Sequence, residues 1–319
     1  MLDAIAAHYS ARTGRRIAPD QATFLPGTQT ALFATMMTLA EAGDDVLMPD
    51  PYYATYEGII AATGARVVPV PVSPSNNFHL TADELARAIT PNSRVLLLNT
   101  PNNPTGAVLS ASEIDAIGAV CRKHDLWIVS DEVYAGLIYK GRFASPFDNP
   151  LLAERTVVVS SVSKSHAMTG FRCGWAVGSQ EFADRLLPLA ETMLFGSQPF
   201  LEDATAFALT HDLPECAAMR AAYEARARIV VEHLGQAPGI SCHLPEGGMF
   251  IMADVRRTGL SGEDFALRLL DAESVVTMPG EAFGEAGAGH LRLALTAEEH
   301  VIAEACRRIA RFAGQIMGA

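Results

Sequence analysis

The run Thr156-Val157-Val158-Val159-Ser160-Ser161-Val162-Ser163-Lys164 reads as a buried strand that ends on the hydroxyls of Ser161 and Ser163 and the amine of Lys164. Its β-branched residues favour an extended, pleated chain. Gly170 and Gly174 bracket a tight turn into Trp175-Ala176-Val177, and Arg172 lies inside that turn. Lys164 therefore stands at a strand end and not on a solvated helix face. An amine beside hydroxyls and a fixed guanidinium suits a cofactor that carries both an aldehyde and a phosphate.

Upstream, Ile128-Val129-Ser130-Asp131 is a second apolar strand, with a carboxylate at its carboxyl end and Tyr134 three residues further on. Open α/β sheets bind ligands at that end of their strands. A carboxylate placed there can keep a pyridine nitrogen protonated by charge pairing. Apolar, strand-like runs at 46–48, 67–70, 95–98, 127–129, 157–159 and 175–177 alternate with helical patterns that include 30–40, 81–89 and 111–124. This rhythm predicts an α/β fold, a mostly parallel sheet sandwiched by helices. A long helix over 214–234, rich in Ala, Arg and Glu, leads to strands at 248–253, 275–278 and 290–295 and helices at 262–270 and 297–313. The expected organisation is a large domain over 1–213, a connecting helix over 214–234 and a smaller C-terminal α/β domain over 235–319.

Four more segments carry chemistry, each with a plainer alternative. Gly27-Thr28-Gln29 opens a helical segment whose free N–H groups could hold a phosphate, or it is an ordinary cap. Asn103-Pro104-Thr105-Gly106 is turn chemistry, but the apolar strand before it aims the turn at the ligand end of the sheet. Tyr53, at a loop-to-helix junction, suits stacking or packing. Arg292, in the alternating strand Leu291-Arg292-Leu293, suits bidentate carboxylate binding or a solvated face.

In this order along the chain, the motifs resemble those of class I/II aminotransferases, fold-type-I enzymes dependent on pyridoxal 5′-phosphate. The resemblance runs from residue 1 to about the end of the chain. It implies that Lys164 forms the internal Schiff base and then acts as base, and that Asp131 partners the pyridine nitrogen. Tyr134 and Asn103 match the residues that hydrogen-bond the ring's phenolic oxygen. Gly27, Thr28, Gln29, Ser161, Ser163 and Arg172 match the phosphate-side group, Tyr53 the stacking aromatic, and Arg292 the arginine that grips the substrate α-carboxylate. The implied reaction moves an amino group from an L-amino acid to a 2-oxo acid in a homodimer. Segments 163–170, 193–197 and 247–250 resemble arginine–pyruvate transaminases, which suggests pyruvate as acceptor and a basic donor. A carbon–sulfur β-lyase of the same fold, a cofactor-binding sensor and a non-catalytic dimer partner are alternatives.

Composition narrows the classes further. A chain of 319 residues with 49% hydrophobic content can bury a large core, and its net charge of −12 disfavours a nucleic-acid partner. No apolar run is long enough to span a bilayer, and the N-terminus lacks the pattern of a signal peptide, so a cytoplasmic location is expected. The five cysteines are scattered, which argues for free thiols, and the nine histidines show no metal-binding spacing. One departure stands out. Residues 2–9 resemble a helix that in the family follows several tens of residues with no counterpart here. Either the chain starts at an internal methionine of a longer protein or it is a shortened form; both readings predict exposed apolar surface beside the small domain.

Overall fold

The computed structural model describes residues 1–194 and 196–318; Phe195, within the segment 193–197 singled out above, lies outside the described residues. The chain opens with α1 (Leu2–Thr13), β1 (Ala22–Leu25) and α2 (Thr28–Leu39). Strand and helix then alternate through β2 (Asp45–Asp50), α3 (Tyr56–Ala61), β3 (Arg66–Pro71), α4 (Ala82–Ala88), β4 (Ser93–Asn99), α5 (Ala111–Lys123) and β5 (Trp127–Asp131). After a long connection come β6 (Thr156–Ser161), α6 (Val162–Ser165), β7 (Gly174–Val177), α7 (Gln180–Met193), α8 (Pro199–Thr210) and α9 (Pro214–Leu234). The remainder holds β8 (Ser241–Cys242), β9 (Phe250–Asp254), α10 (Gly262–Glu273), β10 (Met278–Pro279), β11 (His290–Ala294) and α11 (Glu299–Met317).

Seven strands form one sheet in the order β1-β7-β6-β5-β4-β2-β3. It is parallel from β3 to β6, while β7 pairs antiparallel with both β6 and the edge strand β1. The central strands are apolar because both faces are covered. Val95 and Leu97 of β4 enter a core with α2 and α7, whereas Leu96 and Leu98 enter a second core with α4 and α5. The two-residue period of a strand thus sends alternate residues of one Leu-rich run into opposite layers. Side chains fix where the covering helices begin: Thr81 with Glu84 and Ser110 with Glu113 close reciprocal caps on the first turns of α4 and α5.

The second sheet is antiparallel, in the order β10-β11-β9-β8. Its core is filled by Val230 of α9, Phe265 and Leu269 of α10, and Ile302, Cys306 and Ile309 of α11. Val133, Tyr134 and Leu137, just past the end of β5, join the same core. The two sheets therefore meet at the ligand end of the first.

The sequence reading missed the four-residue edge strand β1 and helices α7 and α8. The strand expected at 275–278 is reduced to Met278–Pro279, with Val275 buried and Val276 77% exposed. Strand β9 starts at Phe250 because Gly248 takes a positive φ of 81° that does not continue a strand. Beside the second sheet, a groove of about 510 Å³ is bounded by the exposed Val276 and Val301. No helix among the described residues is long and apolar enough to cross a membrane.

Candidate active site

Strand ends bring the chemistry together. β5 terminates on Asp131, β6 terminates on Ser161, and the single turn of α6 then carries Ser163 and Lys164. The Ser161 hydroxyl accepts the Ser163 N–H at 3.3 Å, which caps that turn, and accepts a hydrogen bond from the Thr28 hydroxyl at 2.9 Å. Lys164 is half-buried. Burial, and then the charge of Arg172, lower its basicity below that of an ordinary lysine.

Asp131 is fully buried, and burial raises its pKa to about 6. Its carboxylate accepts the Tyr56 hydroxyl at 2.7 Å and the Val133 N–H at 3.1 Å. Glu132 is the remaining group that bears on it, so none of its named neighbours is a cation. A buried carboxylate without a cationic partner is costly to keep ionised. A positively charged ring nitrogen would relieve that cost. Tyr134 is buried beside it, and burial together with the charge of Asp131 pushes its phenol well above the ordinary range, so it stays protonated.

At the opposite end, α2 begins at Thr28 and not at the expected Thr30, which places Thr28 and Gln29 in its first turn. No side chain caps this helix, leaving its first N–H groups free for an anion. Gly27 has φ 85°, and a Cβ there would overlap the Arg172 guanidinium, so only glycine lets the cation approach the helix start. Arg172 donates to the carbonyls of Thr169 at 2.8 Å and Pro26 at 3.2 Å. The Gln29 side chain is engaged with Thr55, so its backbone N–H and not its amide faces this end. An uncapped helix start, two hydroxyls and an arginine form a set that fits a phosphate.

Arg292 reaches the cavity from β11. Its Nη1 donates to Asn103 Oδ1 at 3.0 Å, and its buried Nε has no partner among the described residues. Asn103 is held in turn, its N–H donating to Asn99 Oδ1 at 2.8 Å. One cavity of about 340 Å³ is lined by Thr28, Gln29, Tyr53, Asn103, Asp131, Tyr134, Ser161, Ser163, Lys164, Arg172 and Arg292. Of the residues expected from sequence, Gly27 alone is not on its wall; it lies behind, against Arg172. Tyr56, Asn99 and Phe250 also line the cavity and were missed. The rule that singled out Asp131, a polar residue at the carboxyl end of an apolar strand, applies equally to Asn99 at the end of β4.

Such a fold with such a cavity defines an enzyme that handles amines through a phosphorylated aldehyde. The chain belongs to the aminotransferase class I and II family, whose model matches residues 1–309. It is 46% identical over 314 residues to the arginine–pyruvate transaminase AruH of Pseudomonas aeruginosa, covering 98% of this chain and 80% of that one. It is 36% identical to the aspartate aminotransferase of Musicola paradisiaca, covering 89% and 72%. Among solved structures, the aromatic aminotransferase from Pyrococcus horikoshii superposes with a TM-score of 0.95 at 30% identity, covering 98% of this chain and 84% of that one. The aspartate aminotransferase from Rhizobium meliloti gives 0.94 at 29% identity, covering 98% and 81%. The protein is an aminotransferase that depends on pyridoxal phosphate.

Proposed function

We propose that this aminotransferase uses arginine as amino donor and pyruvate as acceptor, and works as a cytoplasmic homodimer. The donor and acceptor are those in the name of the 46% identical relative, and the motifs around Lys164 and Gly248 point the same way. Five free cysteines, three of them buried, suit a reducing compartment. Phe171, Phe200 and Phe207 are exposed aromatics of a kind that subunit interfaces cover, and Phe171 adjoins Arg172 of the site.

The roles of the site residues follow from their surroundings. Pyridoxal phosphate, when bound, supplies an aldehyde that condenses with the amine and a ring that accepts electron density from Cα. Thr28, Gln29, Ser161, Ser163 and Arg172 would hold its phosphate, Asp131 its ring nitrogen, and Tyr134 and Asn103 its phenolic oxygen. Tyr53 would lie against the ring. Lys164, with basicity lowered by burial and by Arg172, holds and returns a proton at Nζ. Arg292 binds the α-carboxylate through the N–H groups that Asn103 leaves free. Among the described residues Asp131 is the only carboxylate on the cavity wall, so stacking on Tyr53 would receive a guanidinium more readily than charge pairing would.

The observation that carries this reading is that Lys164, Asp131 and Arg292, from three distant parts of the chain, line one cavity. Absorption spectra of the protein loaded with pyridoxal phosphate test it. Arginine should convert the cofactor to its amine form, and pyruvate should return it. Conversion by aspartate or an aromatic amino acid but not arginine would overturn the donor assignment, and ammonia release without a 2-oxo acid would overturn transamination.

A further inference from the structure

We propose that Phe283 is a positioning residue for substrate binding: together with Phe250 it packs an aromatic ring against the Arg292 guanidinium and restricts its orientation. The inference rests on the reading of Arg292 as the α-carboxylate site. The Arg292 Cζ lies 4.2 Å from the centroid of the Phe250 ring and 4.5 Å from that of Phe283. Both distances are within the range at which an aromatic face attracts a cation. Phe250 is half-buried and borders the cavity, whereas Phe283 is 2% exposed and does not reach it. The Phe283 side chain therefore affects substrate through Arg292.

The ring pair supplies what the hydrogen bonds leave open. Asn103 fixes one end of the guanidinium at Nη1, but rotation about that contact would still swing the remaining N–H groups away from an incoming carboxylate. Two rings packed against the guanidinium restrict that freedom while leaving the buried Nε unpaired. A planar, pre-set fork loses less entropy when it takes a bidentate partner.

Phe283 is itself held by contacts that join the two sheets. It closes the short turn Gly280–Phe283, and its carbonyl accepts the Tyr52 N–H at 2.8 Å. Gly284 follows with φ 113°, where a Cβ would overlap the Asp50 carboxylate. That carboxylate accepts the Ala286 N–H at 3.2 Å from each oxygen. The turn is thus clamped onto the Asp50–Tyr53 loop, and the ring that orients Arg292 is referenced to the same loop that presents Tyr53.

Steady-state kinetics of Phe283→Leu, Arg292→Ala and the double variant, each loaded with pyridoxal phosphate, decide the matter. Phe283→Leu keeps apolar bulk but removes the aromatic face. It should raise KM for both amino donor and 2-oxo acid by about 3- to 10-fold while changing kcat by less than about 2-fold. In the Arg292→Ala background it should have no further effect, since its route to substrate is gone. Should Phe283→Leu fold poorly, Phe283→Met serves the same comparison. Unchanged KM in the single variant, or losses that simply multiply in the double variant, would overturn the role of Phe283. Unchanged KM in Arg292→Ala would instead overturn the carboxylate site on which the inference rests.

Discussion

Asp131, Ser161 and Lys164 stand at the ends of neighbouring strands of one sheet, whereas Arg292 enters the same cavity from a second sheet and bonds Asn103, 189 positions away in sequence. The first wall is assembled by local rules: an apolar strand, a polar residue at its carboxyl end, a capped turn. The second wall is assembled by packing between units, through Phe250, Phe283 and the Asp50–Tyr53 loop. The cofactor side of the site is therefore built into the sheet, while the substrate side depends on how two sheets are held together. Variants of the first wall should act on chemistry and cofactor retention. Variants of the second should act on substrate affinity.

The largest effect is expected at Lys164. Lys164→Ala removes the only amine on the cavity wall among the described residues and should reduce turnover by about 10⁴-fold or more. Its thermal stability should change little, because Lys164 is half-buried. Full activity in this variant would sink the assignment and with it the contrast between the walls.

Asp131→Asn separates stability from function within the first wall. The carboxyl's pKa is raised by burial from an unfolded value near 3.8 to about 6. A group whose folded pKa is raised contributes stability that is present below the unfolded value and lost as pH climbs through the folded one. The cofactor-free wild type should therefore lose stability between about pH 4 and 6, and the uncharged asparagine should not. At pH 8 the cofactor-free variant is expected to be more stable by about 1–3 kcal/mol, and the gap should close near pH 4. The same variant should retain pyridoxal phosphate less tightly, because the negative charge facing the ring nitrogen is gone. Chemical denaturation across this pH range checks the first claim and cofactor titration the second. Lower stability than wild type at pH 8 would mean that the Tyr56 and Val133 hydrogen bonds outweigh the cost of burial.

The difference between the walls also governs what could be read without coordinates. The parallel sheet was legible because runs such as Leu96-Leu97-Leu98 and Val157-Val158-Val159, which serve two cores at once, are short and apolar and alternate with helical patterns. Asp131, Lys164 and Ser161 followed from their place at strand ends. β1 was not legible, because four residues buried on both faces carry no alternation and are too few to set a period. The strand at 275–278 was over-read because Val275 and Val276 have strand-like side chains, yet Val276 is mostly in solvent and the chain pairs only at Met278–Pro279. Tyr56 lies three residues beyond Tyr53, and their rings meet edge-on at 5.7 Å, but nothing in that spacing says that its hydroxyl will find Asp131. Phe283 left no trace at all, since its partner is nine residues on in another element and the contact exists only after the turn docks.

The smallest expected effect tests how firmly the two units are fastened outside the cavity. His79 lies between Glu113 of α5 at 2.8 Å and Glu246 of the loop before β9 at 2.7 Å. Glu246 also accepts the Val108 N–H at 2.9 Å, and the Glu246 and Gly247 N–H groups donate to Gly106, in the turn that carries Asn103. Hydrogen bonding to Glu246, opposed by burial and helped by Glu113, raises the His79 pKa from 6.5 to about 9. Its stabilising contribution is then fully present below about pH 6.5 and is lost as pH rises through 9. Glu246 is 43% exposed, so solvent screening cuts the effect, and His79→Gln should cost only about 1 kcal/mol at pH 7. Thermal unfolding of wild type and variant between pH 6 and 10 should show the two curves converging above pH 9. A constant gap across that range would show that His79 contributes by packing and hydrogen bonding alone. A rise in KM without loss of stability would show that this outer clasp, and not only Phe283, sets the geometry of the substrate wall.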